Sequence, residues 1–391
     1  MASASEAGSG WHHGAPFKYT EGMLGDDRAC WHDCGVDLHF STIVIGQKII
    51  DGGTERKGVI SASYDAQLYL DTEKLGWWKN GYALLRLEGK TNDDGVNLFT
   101  GALVPVNFDA AVPVPEGKDL EATEWWYSHV FLQGKLELLG GMWDIGRFYD
   151  LSPFSGPYHF RFLNAHMFFN STLLPWAPYN RLGALALAKP NDCLTITTGV
   201  ADPGSSAIEV DWFEDGDWDL LQEWRAIVQP FDKDHPTQLG VGAAYRKKNQ
   251  PLLENPGQTR SSDWTLWGNF NQWLYKDPDN PTRSIGLFAR VGHTDGKINN
   301  IKNHYSLGVT FEGIARTRQY DVFGIAGWYN KFSKDSFIAQ KGNSSGIELF
   351  YNFRVTPWLQ ITPDLQYLIG PALDPDVNET FVVGTRFLFL L

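Results

Sequence analysis

Four short patterns in the chain have the residue types of known chemistries. Cys30 and Cys34 enclose only Trp31-His32-Asp33, a spacing that allows a small disulfide ring in an oxidising compartment. A zinc site would recruit His12, His13 or His32, yet the second CxxxC or HxxxH half is missing. The pair therefore reads as a disulfide or as free thiols, Cys193 is left over, and neither a metal nor a cofactor is expected. Gly342-Asn-Ser-Ser-Gly346 matches G-x-S-x-G in letters, but a nucleophile elbow needs a helix after it and a strand pattern follows here. Asp215, Asp217 and Asp219 alternate as an EF-hand loop begins, with Leu220 and Ala226 where Gly and Glu are required; a solvated loop is expected, with loop calcium as the alternative. Gly240-Val-Gly242 lacks the third glycine of a dinucleotide fingerprint and sits in a strand pattern.

The remaining polar chemistry is dispersed, and only the elements that carry it give it a place. From about residue 36 onward, apolar and polar residues alternate with period two in segments bounded by Gly, Asn, Asp and Pro. In Gly58 to Leu70, Ile60, Ala62, Tyr64, Ala66, Leu68 and Leu70 share one face, and Ser61, Ser63, Asp65, Gln67 and Tyr69 the other. Tyr305 to Phe311 and Ile285 to Val291 repeat the pattern. Sixteen or seventeen such segments can be counted, the stretches 98–122 and 202–219 being ambiguous. Trp77-Trp78, Trp125-Trp126-Tyr127, Trp328-Tyr329 and Trp358 fall at segment ends, where an interfacial girdle belongs.

Composition narrows the class. The 391 residues include 16 Trp, 15 Tyr, 24 Phe and 40 Gly but only 4 Met, a mix that favours strands and turns over helices. A net charge of −13 argues against a nucleic-acid partner, which needs a basic face. No apolar run approaches the ~20 residues of a spanning helix, whereas strands of ~9–11 alternating residues cross a membrane as a barrel without any such run. Met1-Ala2-Ser3-Ala4-Ser5 has neither a basic nor an apolar region, so the start reads as a mature or re-engineered N-terminus rather than a signal peptide. The expected fold is all-β: a transmembrane antiparallel β-barrel of sixteen strands, the even number such chains take, over residues 36–391, with residues 1–35 as an N-terminal arm or short plug.

If the apolar face of each segment meets lipid, parity turns Arg86, Glu88, Arg246, Arg290, Glu312, Asp321, Glu348, Arg354, Gln360, Asp364, Gln366 and Arg386 toward the lumen. Charged and amide groups beside aromatic faces suit the hydroxyls and apolar faces of sugars. Any one of these charges is explained as well by pairing across the wall; the set as a whole points to a pore lining. Gln360, Asp364 and Gln366 are the better candidates on the Trp358 to Tyr367 strand, and Trp267 and Trp273, which share parity with Asn269 and Asn271, are weaker ones.

Gly346-Ile-Glu-Leu-Phe-Tyr-Asn-Phe-Arg-Val-Thr-Pro-Trp-Leu-Gln-Ile-Thr-Pro-Asp-Leu-Gln-Tyr-Leu-Ile-Gly-Pro371 strongly resembles the penultimate hairpin of the carbohydrate-selective porins of the OprB type. Leu70-Asp-Thr-Glu-Lys-Leu-Gly-Trp77 is similar to an earlier stretch of that family, and Gly134-Lys-Leu-Glu-Leu-Leu-Gly-Gly141 with Phe162-Leu-Asn164 resembles its middle strands. The resemblance implies a sixteen-stranded barrel in the outer membrane of a Gram-negative bacterium, passing monosaccharides and similar small polar solutes by diffusion, and not an enzyme. The chain departs from the family in ending on Leu391 rather than Phe and in carrying Cys30 and Cys34. Rival readings are a channel for small organic acids, favoured if Arg86, Arg290, Arg354 and Arg386 converge; a barrel or secreted β-rich hydrolase using two of the carboxylates; and a soluble carbohydrate-binding sandwich. Gly-polar-Gly patterns on inward faces, read as open space, speak against the hydrolase. Monomer and trimer are both open.

Overall fold

The computed structural model describes residues 25–91, 94–111, 120–176, 180–206, 209–230, 235–280, 283–315, 317–338, 342–371, 373–374 and 376–390. After a helix, α1 (Gly25–Asp33), sixteen strands follow: β1 (Val36–Gly52), β2 (Gly58–Asp71), β3 (Gly81–Thr91), β4 (Glu121–Phe131), β5 (Leu136–Asp144), β6 (Asn180–Asn191), β7 (Leu194–Ala201) and β8 (Trp218–Val228). The second half comprises β9 (Thr237–Pro251), β10 (Thr259–Lys276), β11 (Ser284–Thr294), β12 (Ile301–Glu312), β13 (Val322–Phe332), β14 (Ser344–Thr356), β15 (Leu359–Ile369) and β16 (Glu379–Leu390). Each pairs antiparallel with its sequence neighbours, and β16 returns to β1, Ser41 opposite Leu390, to close the barrel. Closure leaves no edge to template aggregation. Among the described residues no helix is long and apolar enough to cross a membrane.

The alternation read from the sequence is the division between outside and lumen. On β2, Ser61, Ser63, Asp65, Gln67 and Tyr69 are buried inside while the intervening side chains face out. The outer surface exposes Leu85, Val241, Leu266, Val291, Leu307 and Ile347, an apolar band of the kind a bilayer core accepts. Aromatic rows border it. Phe311, Phe323 and Tyr351 lie side by side at one end of β12–β14, and Tyr305 and Tyr329 pair nearer the other. Six residues of strand, about 20 Å, separate Tyr305 from Phe311. Trp77 and Trp78 are exposed as the girdle requires, but Trp126 and Trp328 point inward, each buried to 6 % exposure or less; segment-end position alone does not decide which face an aromatic takes.

The two ends of the barrel differ. At one end the strands are joined by short turns such as 132–135, 192–193 and 357–358; at the other lie the long connections. The stretches 98–122 and 202–219, ambiguous as strands, belong to the loop end: 95–111 forms a 3-10 turn (Gly95–Phe99) and a one-turn helix, α2 (Phe108–Ala111), and strand structure resumes only at Trp218. Residues 145–176 form two further single-turn helices, α3 (Ile145–Phe148) and α4 (Ala165–Phe168), and a 3-10 turn. These two loops fold into the barrel and bring apolar side chains with them, so the lumen holds its own hydrophobic clusters, one built on Trp143, Tyr149, Leu185 and Trp267 and another on Phe154, Phe162, Phe288 and Phe350. The expected N-terminal plug falls partly on residues 1–24, outside the described residues, as do His12, His13 and Leu391; α1 sits at the turn end, where Arg28 bonds His39 at 2.5 Å.

Candidate solute pathway

Glycines on inward faces prepare the seat of the second inward loop. A Cβ on Gly286 would stand 2.0 Å from the Phe154 ring, one on Gly292 2.3 Å from Asn170, and one on Gly324 2.9 Å from Phe162. The inward Gly-polar-Gly pattern, read as empty space, is thus filled by loop side chains, and its use as an argument against a hydrolase lapses. Gly242, from the fingerprint-like pair, does the same for the inward indole of Trp267.

Polar side chains of the wall then fasten both loops. Arg290 on β11 reaches Asp150 Oδ2 at 2.8 Å, Ser155 Oγ at 2.8 Å and the carbonyls of Met167 and Phe168 at 2.7 and 2.9 Å. Glu223 on β8 accepts the Asp150 N–H at 2.7 Å, and Arg246 on β9 joins Asp219 through two 2.7 Å bonds and donates to the Pro175 carbonyl. On the other arc, Glu348 accepts the N–H groups of Leu163 and Asn164 at 2.6 and 3.1 Å, Gln366 holds Asn164 and the Val106 carbonyl, and Arg386 donates to the Tyr158 carbonyl. Asp364 accepts from Gln366 at 2.8 Å. Asn352 links Gln360 to the Phe160 carbonyl, and Glu312 pairs with Arg161 at 2.5 Å. On the wall formed by β2–β4, Arg86 bonds Asp65, Glu88 and Glu124, and Arg147 from the loop shares Glu124 and donates to Tyr69 at 2.9 Å.

Eleven of the twelve residues placed inward by parity do face the lumen or its rim. Asp321 is the exception: it lies in the turn before β13 with outward parity, bonded to Arg318 and to the girdle hydroxyl of Tyr351. Its charge comes from anchoring a turn, which alternation cannot distinguish from a lining position at a strand end. The arginines Arg86, Arg290, Arg354 and Arg386 do not converge; Arg290 and Arg386 are spent on loop carbonyls, while Arg86 and Arg354 reach open space. Trp267 and Trp273 are inward, Trp267 donating to Glu223 and Trp273 packing on Phe154 at 4.7 Å. Cys30 and Cys34 are exposed free thiols one helical turn apart, with the Cys34 N–H on the Cys30 carbonyl. Among the described residues no group of three or more His, Cys, Asp or Glu side chains is arranged to hold a metal ion, and Ser344, the serine of the G-x-S-x-G letters, opens β14 rather than a helix.

What the loops leave free is a cavity of about 870 Å³, toward the turn end, bounded by Arg86, Gln238, Tyr320, Arg354 and Gln360 of the wall region, by Asp144 at the end of β5 and by residues 146–148, 150–153 and 156–161 of the second loop. This is at the upper part of the range of small-molecule sites, about 300–1,000 Å³. Loop residues not evident from alternation line it: Phe108, Arg147, Tyr158, His159, Arg161 and Phe168, together with Lys189 and Arg225 on β6 and β8. Burial pushes His159 down to about 3, with Asp65 opposing and Arg86 adding to the fall, so its imidazole is neutral near pH 7. Burial also raises Asp150, against the pull of Arg290.

A closed sixteen-stranded antiparallel barrel with an apolar outer band, aromatic borders and inward-folded loops defines a porin-type barrel. Residues 224–390 match the family model of the carbohydrate-selective porins, OprB family, so the resemblance read from the hairpin after Gly346 is shown from β8 to β16. Porin B of Pseudomonas aeruginosa is 23 % identical over 157 residues, 35 % of this chain and 35 % of that protein, and the putative porin QuiX of Acinetobacter baylyi 22 % over 171 residues, 38 % and 39 %. The matched stretches span little more than a third of these relatives' length. The high-pH structure of Pseudomonas putida OprB shares the fold, with a TM-score of 0.81 at 19 % identity over 96 % of this chain and 100 % of that one.

Proposed function

We propose that this protein is an outer-membrane porin of a Gram-negative bacterium through which monosaccharides and similar small polar solutes diffuse passively. One observation carries the reading: a closed barrel whose outside is apolar and whose inside leaves a cavity of about 870 Å³ walled by guanidinium, amide and aromatic groups. Planar polar groups bond paired hydroxyls and rings stack on a sugar's apolar face. In this reading Arg86, Arg354 and Gln360 meet solute directly. Glu88, Arg246, Arg290, Glu312, Glu348, Asp364, Gln366 and Arg386 keep the constriction in shape.

A hydrolase would need two carboxylates open to the cavity. Asp144 and Asp150 are the acids on its wall, and Asp150 is committed to Arg290, Asn170 and Asn269. The test is single-channel conductance of the detergent-purified, folded chain in a planar bilayer, with glucose and a disaccharide added in turn. Stable conductance that glucose blocks saturably is expected; no conductance from folded protein would overturn the porin reading.

A further inference from the structure

The cavity wall is unbalanced in charge. Arg86, Arg147, Arg161, Lys189, Arg225 and Arg354 line it, against Asp144 and Asp150, in a chain whose net charge is −13. The carboxylates paired with Arg147 and Arg225 stand behind them, and Asp65, the partner of Arg86, lies outside the cavity wall. Glu124 and Glu223 have fully buried side chains, whereas their partners Arg147 and Arg225 keep 8 % and 16 % exposure. Asp150 is closed off by Arg290. Glu312, the partner of Arg161, is more exposed at 24 %, but it stands at the end of β12 and outside the cavity wall. The wall also carries three rings brought by the two loops, Phe108, Tyr158 and Phe168, whose centroids are 4.7 to 5.4 Å apart. Neutral His159 stacks on Tyr158 at 4.0 Å.

We infer that, among small polyhydroxylated solutes, this cavity prefers those that carry a carboxylate: sugar acids of the aldonate or uronate class. The inference rests on the porin reading and sharpens its substrate. A carboxylate entering the cavity meets six cationic side chains against two acids on the wall, with the counter-charges of Arg147 and Arg225 buried behind them, and charge-assisted hydrogen bonds are about twice as strong as neutral ones. Its hydroxylated body has the rings to lie against. The chain's net charge of −13 does not oppose this, because exposed charges more than about 8–10 Å away are screened at physiological salt.

The full chain is reconstituted in a planar bilayer, and block of the ion current by glucuronate is compared with block by glucose. At about 0.1 M salt glucuronate is expected to block at a concentration at least ~10-fold lower than glucose, the gap shrinking to within ~2-fold at about 1 M as screening sets in. Lys189→Gln and Arg354→Gln, the first half-buried on the wall and the second nearer the rim, should each narrow the low-salt gap. Lys297→Gln, on a connection at the loop end away from the cavity, should leave it unchanged. Equal block by the two sugars in the unmutated channel would overturn the anion preference and leave the porin reading standing. No conductance from folded protein would overturn both.

Discussion

Glu348 on β14 accepts the backbone N–H of Leu163 at 2.6 Å, a bond between residues 185 apart in sequence. The neighbouring N–H of Asn164 takes the second carboxylate oxygen. One wall side chain thereby satisfies two donors at the tip of the second inward loop, at a depth where an unpaired N–H is costly. Glu348→Ala should cost about 1–3 kcal/mol, the penalty of leaving buried donors unsatisfied. It should also make the unit conductance unsteady while the barrel still folds. Steady single-channel traces from that variant would remove Glu348 from the loop's anchorage.

Arg290 and Arg354 carry the same charge into the lumen, yet their removal should differ. Arg290 is buried and holds Asp150 together with three loop acceptors. Breaking a buried pair by deleting one partner typically costs ~3–5 kcal/mol. Arg290→Ala should therefore lower the unfolding midpoint on heat-modifiability gels, whereas Arg354→Ala, half-buried on the cavity wall, should keep the midpoint and change ion preference in a salt gradient. Equal midpoints for the two variants would contradict the assignment.

Gly286 gives the cleanest steric test. Its Cβ would fall 2.0 Å from the Phe154 ring, which also packs on Trp273. Gly286→Ala should lose about 1–3 kcal/mol as overpacked sites do. Conductance should change as the loop shifts. Phe154→Ala in the same chain should restore the midpoint in part, and no rescue would show that the loop is not seated on this glycine.

The first inward loop has a titrating anchor. Asp109 in α2 accepts the Ser63 hydroxyl, whose Oγ lies 2.8 and 2.9 Å from its two oxygens, and burial pushes it from 3.8 up to about 7, with Ser63 and Arg386 acting the other way. The folded chain binds this proton more tightly than the unfolded one, so the contribution is whole below 3.8 and is lost as pH rises through about 7. Between about pH 5 and pH 8 the wild type should lose on the order of 2–3 kcal/mol relative to Asp109→Asn. Urea midpoints at the two pH values check it; parallel curves would exclude Asp109 from the pH response.

Strand alternation carried most of the architecture because period two maps directly onto lipid and lumen. It also sorted eleven polar residues correctly, from Arg86 on β3 to Arg386 on β16. It failed at Asp321, which lies in the turn before β13 begins and is out of phase with that strand's inward residues. It was silent on Arg147, Tyr158, His159 and Arg161, whose positions depend on how a loop folds back rather than on any repeat. Lys189 was hidden for a different reason: its inward neighbours Leu185 and Leu187 are apolar because the loop brings a hydrophobic core into the lumen, so the apolar face of β6 is not the lipid face. The stretch Phe162-Leu-Asn164, expected on a middle strand from its likeness to the family, lies instead in the second loop, where Leu163 and Asn164 are the residues Glu348 grips.

In a ring of sixteen strands β8 and β16 stand half a circumference apart. Glu223 on β8 holds the loop at Asp150, and Arg386 on β16 holds it at Tyr158. The residues between them act as a tie-beam across the bore. A barrel so braced cannot flatten under lateral pressure without moving the beam, and the aperture is therefore a gauge of the cross-section and not a separately hinged part.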